Sequence, residues 1–494
     1  MRPSRLENRG RCLALCGAVA AALVGCGGSD GTLPVTPPPP PPTLVIVAPA
    51  SVAVGGTLSM LATAIPAGQI SWTSNTPSIV AVSPDGKVTG VSPGTGEVKA
   101  SSGGESATAN VIALPPFVDL TLGRSHACAR TAQNVLYCWG DNAVAALGKT
   151  SPEICPSQLR QCSTLPRSLV EATNFVQLSG GGSGITCGLT SGGNAFCWGH
   201  NRDDWIGPTT DTCTVEGVGT SACARTPVAV PGGRVFTSIA LGGAHACALT
   251  PGGAAYCWGL GGDQLGVAST ETCAGAPCNR TPLAVAGGLS FTTLAPGNQH
   301  TCGIAVGGAA YCWGDNAVGQ LGRPGPGGPA PTLVSGGHSF LALSAYSTQT
   351  CGVETGGDAY CWGDNGFGQL GDNSTAASSV PRLVAGGLKF TVVAASLEHT
   401  CGLTIAGGAY CWGQNTGLQV SGQLGNGSTT PSQVPVPVAG GRAFVQLLAG
   451  RQATCGRTAS GLVYCWGDNR FGQLGIGNLT LAYSLLPLGV AGAP

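Results

Sequence analysis

A short unit, Tyr or Phe followed by Cys-Trp-Gly, recurs seven times after residue 117. Its copies begin at Tyr137, Phe196, Tyr256, Tyr311, Tyr360, Tyr410 and Tyr464, with a period of 49 to 60 residues. Asn follows three residues after the Trp in six copies, and Gly261 takes that place in the third. A period of this length indicates one supersecondary unit per repeat, whose apolar faces are covered by the neighbouring units.

A second cysteine lies ten residues before each motif cysteine. We interpret each pair as a hairpin with a three-residue loop, because the third loop residue is then Asn134 or a glycine, and that position requires a left-handed backbone. Opposed Cα atoms would be about 4.5–5.5 Å apart, which suits a disulfide. The spacing predicts seven cross-strand disulfides: Cys128–Cys138, Cys187–Cys197, Cys247–Cys257, Cys302–Cys312, Cys351–Cys361, Cys401–Cys411 and Cys455–Cys465.

The repeats also resemble a known family. Four copies continue as Asn-x-x-Gly-Gln-Leu-Gly or close to it, as at residues 365–371, and the motif, period and copy number resemble the regulator of chromosome condensation repeat family. The resemblance implies an all-β fold, a seven-bladed β-propeller at residues 117–494 with one four-stranded blade per repeat. Propellers of that family act mainly as protein-interaction platforms, and they include a guanine-exchange factor and a secreted β-lactamase-inhibiting protein.

The first 25 residues have the pattern of an export signal: four arginines precede an uncharged stretch that is too short to span a bilayer. The stretch ends at residues 23–26 in Leu-Val-Gly-Cys, which resembles the lipobox of bacterial lipoproteins. The resemblance implies cleavage before Cys26, a lipid on its sulfur and, because Gly27 follows, localisation at the outer membrane or cell surface. An ordinary signal peptide with a coincidental cysteine is the alternative.

Two further segments precede the repeats. Residues 26–43 are a Gly/Pro-rich linker whose Pro run should form an extended spacer. Residues 44–114 alternate in strand fashion and resemble the bacterial Ig-like family at residues 70–74 and 86–90. The resemblance implies a small Ig-like β-sandwich with Trp72 in its core, which we interpret as a spacer.

The remaining cysteines also indicate an exported protein that folds in an oxidising compartment. Three further pairs lie in insertions after the first three motifs: Cys155–Cys162, Cys213–Cys223 and Cys273–Cys278. Of the 23 cysteines, Cys12 and Cys16 leave with the signal and Cys26 takes the lipid, so 20 remain to pair. Zinc is the rival explanation, but isolated pairs ten residues apart do not form Cys-x-x-Cys knuckles, and export opposes reduced thiols. We predict no metal site and no cofactor.

Charge and motif content exclude other classes. Lys+Arg and Asp+Glu both number 22, without the basic excess typical of nucleic-acid binding. No phosphate loop, nucleophile elbow or distinctive carboxylate pair is present, so we predict no catalytic residue and no enzyme. We interpret the motif Trp residues as packing between blades rather than a sugar platform, and the Asp-Asn pairs as turns rather than calcium ligands. The histidines two residues before a cysteine are interpreted as structural: His126, His245, His300 and His399.

The residues that depart from the repeat pattern are the candidates for partner binding. The three insertions occur at one point of the repeat and should project from one propeller face. Arg202, Asp203, Asp204 and Trp205 interrupt the second motif with three charges and a Trp that we expect to be exposed. The alternative is that the insertions are neutral sequence changes in loops that tolerate them and have no binding role. The sequence predicts a monomeric, lipid-anchored module that binds an envelope or extracellular protein; glycan or cell-wall binding is the alternative, and enzymatic activity is a third, weaker one.

The ends of the repeat region suggest how the ring closes. A strand-like segment after Pro precedes copies two to seven but not copy one, and a similar segment ends the chain at residues 488–492. We therefore expect the C-terminal segment to pair into blade 1, because an open propeller would leave unpaired strand edges.

Overall fold

The computed structural model describes residues 43–47, 51–151, 153–155, 160–169, 174–201, 204–215, 219–273, 275–416 and 422–490. The predicted export signal, Cys26 and nearly all of the linker lie outside these residues. In the described ranges, the named elements are all strands apart from one 3-10 turn, Asp263–Leu265, and the all-β prediction is confirmed.

Nine strands form the N-terminal sandwich. They are β1 (Thr43–Val47), β2 (Ser51–Ala53), β3 (Thr57–Ser59), β4 (Leu61–Ile65), β5 (Ser71–Ser74), β6 (Val80–Val82), β7 (Lys87–Gly90), β8 (Gly94–Ser102) and β9 (Glu105–Leu114). Their sheets have the orders β2-β9-β8-β5, β3-β7-β6 and β1-β4. Valines such as Val52, Val88 and Val111 fill the core between the sheets, and Trp72 packs against this core while remaining partly exposed.

Seven sheets, here sheets 1 to 7, follow between residues 117 and 489 of the described chain. The first strands are β10 (Phe117–Leu122), β15 (Phe175–Gly181), β20 (Ser238–Leu241), β25 (Phe291–Pro296), β29 (Phe340–Tyr346), β33 (Phe390–Ala395) and β37 (Gln446–Ala449). The second strands are β11 (His126–Thr131), β16 (Ile185–Thr190), β21 (His245–Leu249), β26 (His300–Ala305), β30 (Gln349–Glu354), β34 (His399–Thr404) and β38 (Ala453–Arg457).

The other two strands of each sheet follow in chain order. The third strands, which carry the motif, are β12 (Leu136–Asp141), β17 (Ala195–His200), β22 (Ala255–Leu260), β27 (Ala310–Gly314), β31 (Ala359–Gly363), β35 (Ala409–Gly413) and β39 (Val463–Asp468). The fourth strands are β14 (Arg160–Ser168), β19 (Gly219–Ala229), β24 (Ala276–Ala284), β28 (Gly328–Leu333), β32 (Ser378–Leu383), β36 (Ser432–Pro437) and β40 (Tyr483–Gly489). A short fifth strand pairs with the fourth in sheets 1 to 3: β13 (Glu153–Cys155), β18 (Thr212–Val215) and β23 (Glu271–Cys273).

The hairpin between the second and third strands has the register inferred from the sequence. The two cysteines are directly opposed in all seven sheets, and the seven hairpin disulfides span Cα–Cα distances of 4.0–4.1 Å. Asn134 and the six equivalent glycines all have positive φ, from 60° to 91°. The turn residue and the cysteine spacing therefore specify the same pairing.

The prediction of ring closure by the C-terminal segment is wrong. The last strand, β40, pairs with β39 of its own sheet, with Cys465 opposite Leu488 and Tyr464 opposite Gly489. Every segment after Pro is likewise the fourth strand of the preceding motif, not the first part of the next repeat. Each sheet is therefore made from one stretch of chain, and among the described strands none is exchanged between the two ends of the propeller.

Side chains join the first and last sheets instead. The Gln446 amide of sheet 7 donates to Asp119 Oδ1 at 3.2 Å and to the Leu120 carbonyl at 2.9 Å in sheet 1. Val490 packs with Trp139 and Leu474 in the core between these two sheets. The first strands contact one another in sequence, and the last also contacts the first, so the described sheets form a closed ring.

Each sheet has two different edges. Because the four strands run alternately up and down, the first-to-second and third-to-fourth connections lie at one edge, here the insert edge. The second-to-third hairpin turns lie at the opposite edge, here the hairpin edge. The chain leaves β9 and enters β10 at Phe117, which pairs with Thr131 beside a hairpin turn. The Ig-like sandwich therefore joins the propeller at the hairpin edge.

Candidate functional site

The motif tryptophans lie between sheets. All seven are fully buried, with 0% of their surface exposed. In six of them the indole N–H donates to a backbone carbonyl of the preceding sheet's third-to-fourth connection at 2.9–3.0 Å: Trp139 to Gln473, Trp198 to Ala146, Trp313 to Gln264, Trp362 to Gln320, Trp412 to Gln369 and Trp466 to Gln423. They are interior anchors and form no surface for stacking a sugar.

The repeated histidines also join neighbouring sheets. Nε2 of each lies 2.8 Å from a threonine hydroxyl of the next sheet: His126 with Thr186, His245 with Thr301, His300 with Thr350 and His399 with Thr454. Each of these four threonine hydroxyls donates its proton to a backbone carbonyl that also accepts a Trp indole N–H. The hydroxyl must therefore accept from the histidine, which assigns the neutral Nε2–H tautomer.

Burial keeps these imidazoles neutral. It lowers the pKa of His126 and His300 to about 4 and of His245 and His399 to about 3. Nδ1 of His245, His300 and His399 is buried without a hydrogen-bond partner in the described part of the chain. Such groups hold the sheets together and are poor acid–base catalysts near neutral pH.

The other three boundaries between sheets have no histidine, and the residues that face each other there are matched in polarity. Between sheets 5 and 6, Gln349 replaces the histidine, and its amide donates to the Thr400 hydroxyl at 3.0 Å. Between sheets 2 and 3 the two positions are Ile185 and Ala246, which share one apolar cluster. Between sheets 7 and 1 they are Ala453 and Ala127, again in one cluster. A polar residue faces threonine and an apolar residue faces alanine, so no hydroxyl is left unpaired.

The binding candidates of the second repeat have different outcomes. Arg202 and Asp203 lie outside the described residues. Asp204 is exposed and has a φ of +57°. The expectation that Trp205 is exposed is wrong, because it is 2% exposed and packs in the core with Ile206.

The repeat itself explains the burial of Trp205. Counting from Asn201, this Trp occupies the place of the Gln whose carbonyl receives the next sheet's indole, for example Gln320. The corresponding indole N–H of Trp258 is buried without a hydrogen-bond partner within the described ranges. Alignment of the seven loops would have revealed this position from the sequence alone.

The insertions lengthen the insert edge. Each forms a hairpin between the fifth and fourth strands, closed by Cys155–Cys162, Cys213–Cys223 or Cys273–Cys278. The second cysteine of each pair lies opposite the end of the motif strand: Cys162 opposite Asp141, Cys223 opposite His200 and Cys278 opposite Leu260. All three hairpins therefore extend beyond the same edge of their sheets, as the sequence predicts.

The Asp-Asn pairs and their Asn equivalents build turns. In six repeats the Asn side-chain oxygen accepts the backbone N–H of the buried Leu or Ile of the following loop: Asn142, Asn201, Asn316, Asn365, Asn415 and Asn469. Across the described residues no group of three or more His, Cys, Asp or Glu side chains is placed to hold a metal ion. The local hydrogen bonds account for these side chains as turn residues.

A central channel opens at the insert edge. Its cavity, about 560 Å³, is lined by the ends of all seven first strands and by the turns that follow them. The residues along its wall are mostly small, such as Gly180, Ala345, Ala395 and Ala449. Three larger polar side chains stand at its mouth and were missed by sequence analysis: Arg124, Tyr346 and Arg451.

Tyr346 breaks a rule of the repeat. Five other repeats have glycine at its position: Gly123, Gly181, Gly242, Gly297 and Gly450. In sheets 1 and 4 a Cβ on that glycine would lie 2.1–2.2 Å from the ring of the following histidine. Repeat 5 has Gln349 in place of the histidine, which leaves room for a side chain. The Tyr346 phenol therefore enters the channel mouth at a position where five other repeats have no side chain and repeat 6 has only Ser396.

A second cavity of about 860 Å³ lies beside the mouth, between sheets 7, 1 and 2. Two ion pairs line it, Arg160 with Asp141 and Arg470 with Asp468, both at 3.0 Å. The guanidinium carbon of Arg160 lies 4.8 Å and that of Arg470 5.8 Å from the centre of the Phe471 ring. Ion pairing and ring contacts hold both arginines on the wall.

No helix in the part of the chain that the structure describes is long and apolar enough to cross a membrane. Ten disulfides within 117–490 are characteristic of a protein that folds in an oxidising compartment. Together with the Ig-like sandwich they indicate an extracellular location.

Comparison with known proteins gives the same architecture. Families described as "Regulator of chromosome condensation (RCC1) repeat" match residues 117–144, 236–264, 291–320, 356–423 and 444–492. The group 2 bacterial Ig-like domain matches residues 43–112. The human E3 ubiquitin-protein ligase HERC2 is 29% identical over 214 residues, which are 42% of this chain but 4% of that ligase.

Two solved structures have the same fold. Human WBSCR16 is 20% identical, with a TM-score of 0.60 over 72% of this chain and 93% of that one. Prp20p from Saccharomyces cerevisiae, described with its binding to Gsp1p and histones, is 18% identical, with a TM-score of 0.59 over 76% of this chain and 87% of that one. Repeats of this kind suggest a protein-interaction module. The chain carries regulator of chromosome condensation repeats that form a β-propeller, preceded by a bacterial Ig-like domain.

Proposed function

We propose that this protein is an exported, monomeric binding module whose propeller recognises a partner protein through the insert edge. One observation carries the proposal: the channel mouth, the neighbouring charged cavity and the three disulfide-closed insertions all lie at that edge. The Ig-like sandwich joins the propeller at the opposite edge. A propeller carried on this sandwich would present the insert edge away from its point of attachment.

The attachment that we propose is a lipid on Cys26 at the outer membrane or cell surface. The lipobox-like residues 23–26 support it, and so does the cysteine count, since the 20 other cysteines that remain after signal cleavage have partners. The Gly/Pro-rich linker would separate the anchor from the folded part. Asp204 is a candidate for partner contact at the insert edge, and Arg202 and Asp203 stay candidates on the sequence alone.

A protein partner fits the insert edge better than a glycan. Glycan sites commonly stack sugars on exposed tryptophan rings, whereas the motif tryptophans and Trp205 are buried. The insert edge instead offers charged groups and a few exposed apolar side chains, such as Ile154 at 51% and Phe367 at 41% exposure. This mixture is typical of protein-binding surfaces. We derive no reaction from the site and propose no enzymatic activity.

The test is affinity capture from cell-envelope extracts with the full-length Cys26→Ala protein as bait. Two matched baits each replace two exposed apolar residues by serine. One carries Ile154→Ser and Phe367→Ser at the insert edge. The other carries Val306→Ser and Ile405→Ser, both 72% exposed, at the hairpin edge. We expect a specific protein partner that the insert-edge bait captures poorly and the hairpin-edge bait captures fully.

Three results would count against the proposal. Equal capture by both serine baits, or loss only with the hairpin-edge bait, would place the binding surface elsewhere. Recovery of envelope polysaccharide without a protein would favour the glycan alternative. Thermal unfolding of both baits should match the parent protein, so that a misfolded bait is recognised before capture is interpreted.

A further inference from the structure

Two arginines at the channel mouth form no ion pair within the described part of the chain. Arg124 follows the first strand of sheet 1, and Arg451 holds the same position in sheet 7. Both line the channel cavity and the neighbouring charged cavity. Neither guanidinium has an ion-pair or hydrogen-bond partner among the described residues, whereas Arg160 and Arg470 nearby are each paired with an aspartate. Their charges therefore remain available at the mouth.

The two arginines are close enough to influence each other. Partial burial, and then the charge of Arg451, lower the pKa of Arg124, although an arginine remains charged at any physiological pH. Two like charges held together in a partly enclosed space are unfavourable unless an anion joins them. The arrangement costs free energy in the free protein, and an anionic ligand would recover it.

Tyr346 faces this pair from the other side of the channel. Its phenol lines the same cavity and has no hydrogen-bond partner in the described chain. Burial raises its pKa, while the charges of Arg124 and Arg451 oppose that rise, so the hydroxyl lies within electrostatic range of both guanidinium groups. A protonated phenol can donate a hydrogen bond to an anion that the arginines attract.

The acidic groups nearby leave the mouth positive. Glu398, in the equivalent turn of sheet 6, is partly buried and forms no ion pair with Arg451. Burial raises its pKa, and Arg451 only opposes the rise. Asp141 forms an ion pair with Arg160, and Asp468 forms one with Arg470. The unpaired groups at the mouth therefore sum to one positive charge in a chain whose net charge is zero.

We propose that Arg124, Arg451 and Tyr346 form a carboxylate-binding site at the channel mouth, which receives an acidic side chain of the partner protein. The inference rests on the proposed protein-binding function and specifies the chemistry of the partner. Two guanidinium groups and one hydroxyl match the acceptors of a carboxylate. The small residues of the channel wall leave an opening for a side chain, and the site lies at the edge opposite the Ig-like sandwich.

The first experiment uses a hexaglutamate peptide as probe and hexaglutamine as its neutral match, with binding measured by calorimetry on the full-length Cys26→Ala protein. We expect Arg124→Ala with Arg451→Ala to weaken hexaglutamate binding by about tenfold or more. The matched control is Arg234→Ala with Arg442→Ala, which removes the same charge at the hairpin edge, where each arginine stacks on a tyrosine. This control should bind as the parent does.

Two single substitutions test the geometry without removing an arginine. Tyr346→Phe deletes only the hydroxyl and should weaken binding about threefold. Glu398→Gln removes the carboxylate that competes for Arg451 and should strengthen binding by a similar factor. A gain of affinity cannot arise from misfolding, so this variant keeps the test decisive if the double arginine variant is unstable.

The outcomes separate this inference from the proposed function. No binding of hexaglutamate, equal losses in the two double variants, or equally tight binding of inorganic phosphate would overturn the carboxylate site. If envelope capture yields a partner that the Arg124/Arg451 variant retains fully, the site is wrong while the protein-binding function stands. If the parent captures no partner but binds hexaglutamate through these residues, the proposed function fails and the site stands.

Discussion

Replacing His399 by Gln should reduce the acid sensitivity of the fold while leaving its stability at neutral pH nearly unchanged. His399 is fully buried and joins sheet 6 to Thr454 of sheet 7 through Nε2. Glutamine can make the same contact, because the Gln349 amide donates to the Thr400 hydroxyl at the neighbouring boundary. At pH 7.5 we expect the His399→Gln protein to lie within about 1 kcal/mol of the parent in free energy of unfolding.

The acid effect follows from the difference in pKa between the folded and unfolded chain. Burial lowers the pKa of His399 from 6.5 to about 3, so the unfolded state binds the proton first as the pH falls. The stability is complete above pH 6.5 and is lost progressively as the pH falls from there toward 3. Each such histidine costs about 1.4 kcal/mol per pH unit in this window, or about 3 kcal/mol at pH 4.5.

Urea unfolding with the disulfides intact, followed by Trp fluorescence between pH 7.5 and 4.5, measures the effect. As the pH falls, the free energy of unfolding of the parent should decrease with the slope expected for four buried histidines. That of His399→Gln should decrease with the slope expected for three. His338→Gln is the control, because His338 is not in this set and pairs instead with Glu354 at 2.9 Å. Identical slopes for His399→Gln and the parent, or a loss above about 2 kcal/mol at pH 7.5, would refute the reasoning.

Other predictions concern the anchor, the crosslinks and the chain end. Cys26→Ala should move the protein from the membrane to the soluble fraction; retention in the membrane with unchanged mass would argue against lipidation. Non-reducing peptide mapping should recover the ten pairs, each within one repeat, and free thiols or crosslinks between repeats would contradict the pairing. Deletion of residues 485–494 removes most of β40 and Val490 from the core between sheets 7 and 1, and should lower the Tm by several degrees or cause aggregation; an unchanged Tm would show that this core is dispensable.

Local features could be predicted from the sequence because they are set within a dozen residues. The hairpin register follows from a turn residue such as Asn134 and from two cysteines ten positions apart. The fourth strand was assigned to the wrong repeat because the segment after Pro lies between two motifs in sequence and carries no mark of its partner. Only the pairing, for example Cys465 opposite Leu488, decides that it belongs to the motif before it.

The group of residues at the channel mouth could not be predicted from the sequence, for a different reason. Arg124, Tyr346 and Arg451 come from turns more than a hundred residues apart, and the ring brings them to one cavity. Their distance in space depends on closure of seven sheets and not on any local pattern. Trp205 was misplaced for lack of an alignment among repeats, since its position corresponds to that of Gln320, whose backbone accepts the next indole.

The disulfides make each repeat covalently self-sufficient. No crosslink spans more than ten residues, and each joins strands of a single sheet. During oxidative folding the correct partner is thus the nearest thiol along the chain, which limits scrambling despite 20 cysteines. The same locality affects evolution: duplication or loss of a whole repeat adds or removes complete pairs and leaves no orphaned thiol. A propeller of this kind can therefore gain or lose a repeat without any change in the disulfide pairing of the other repeats.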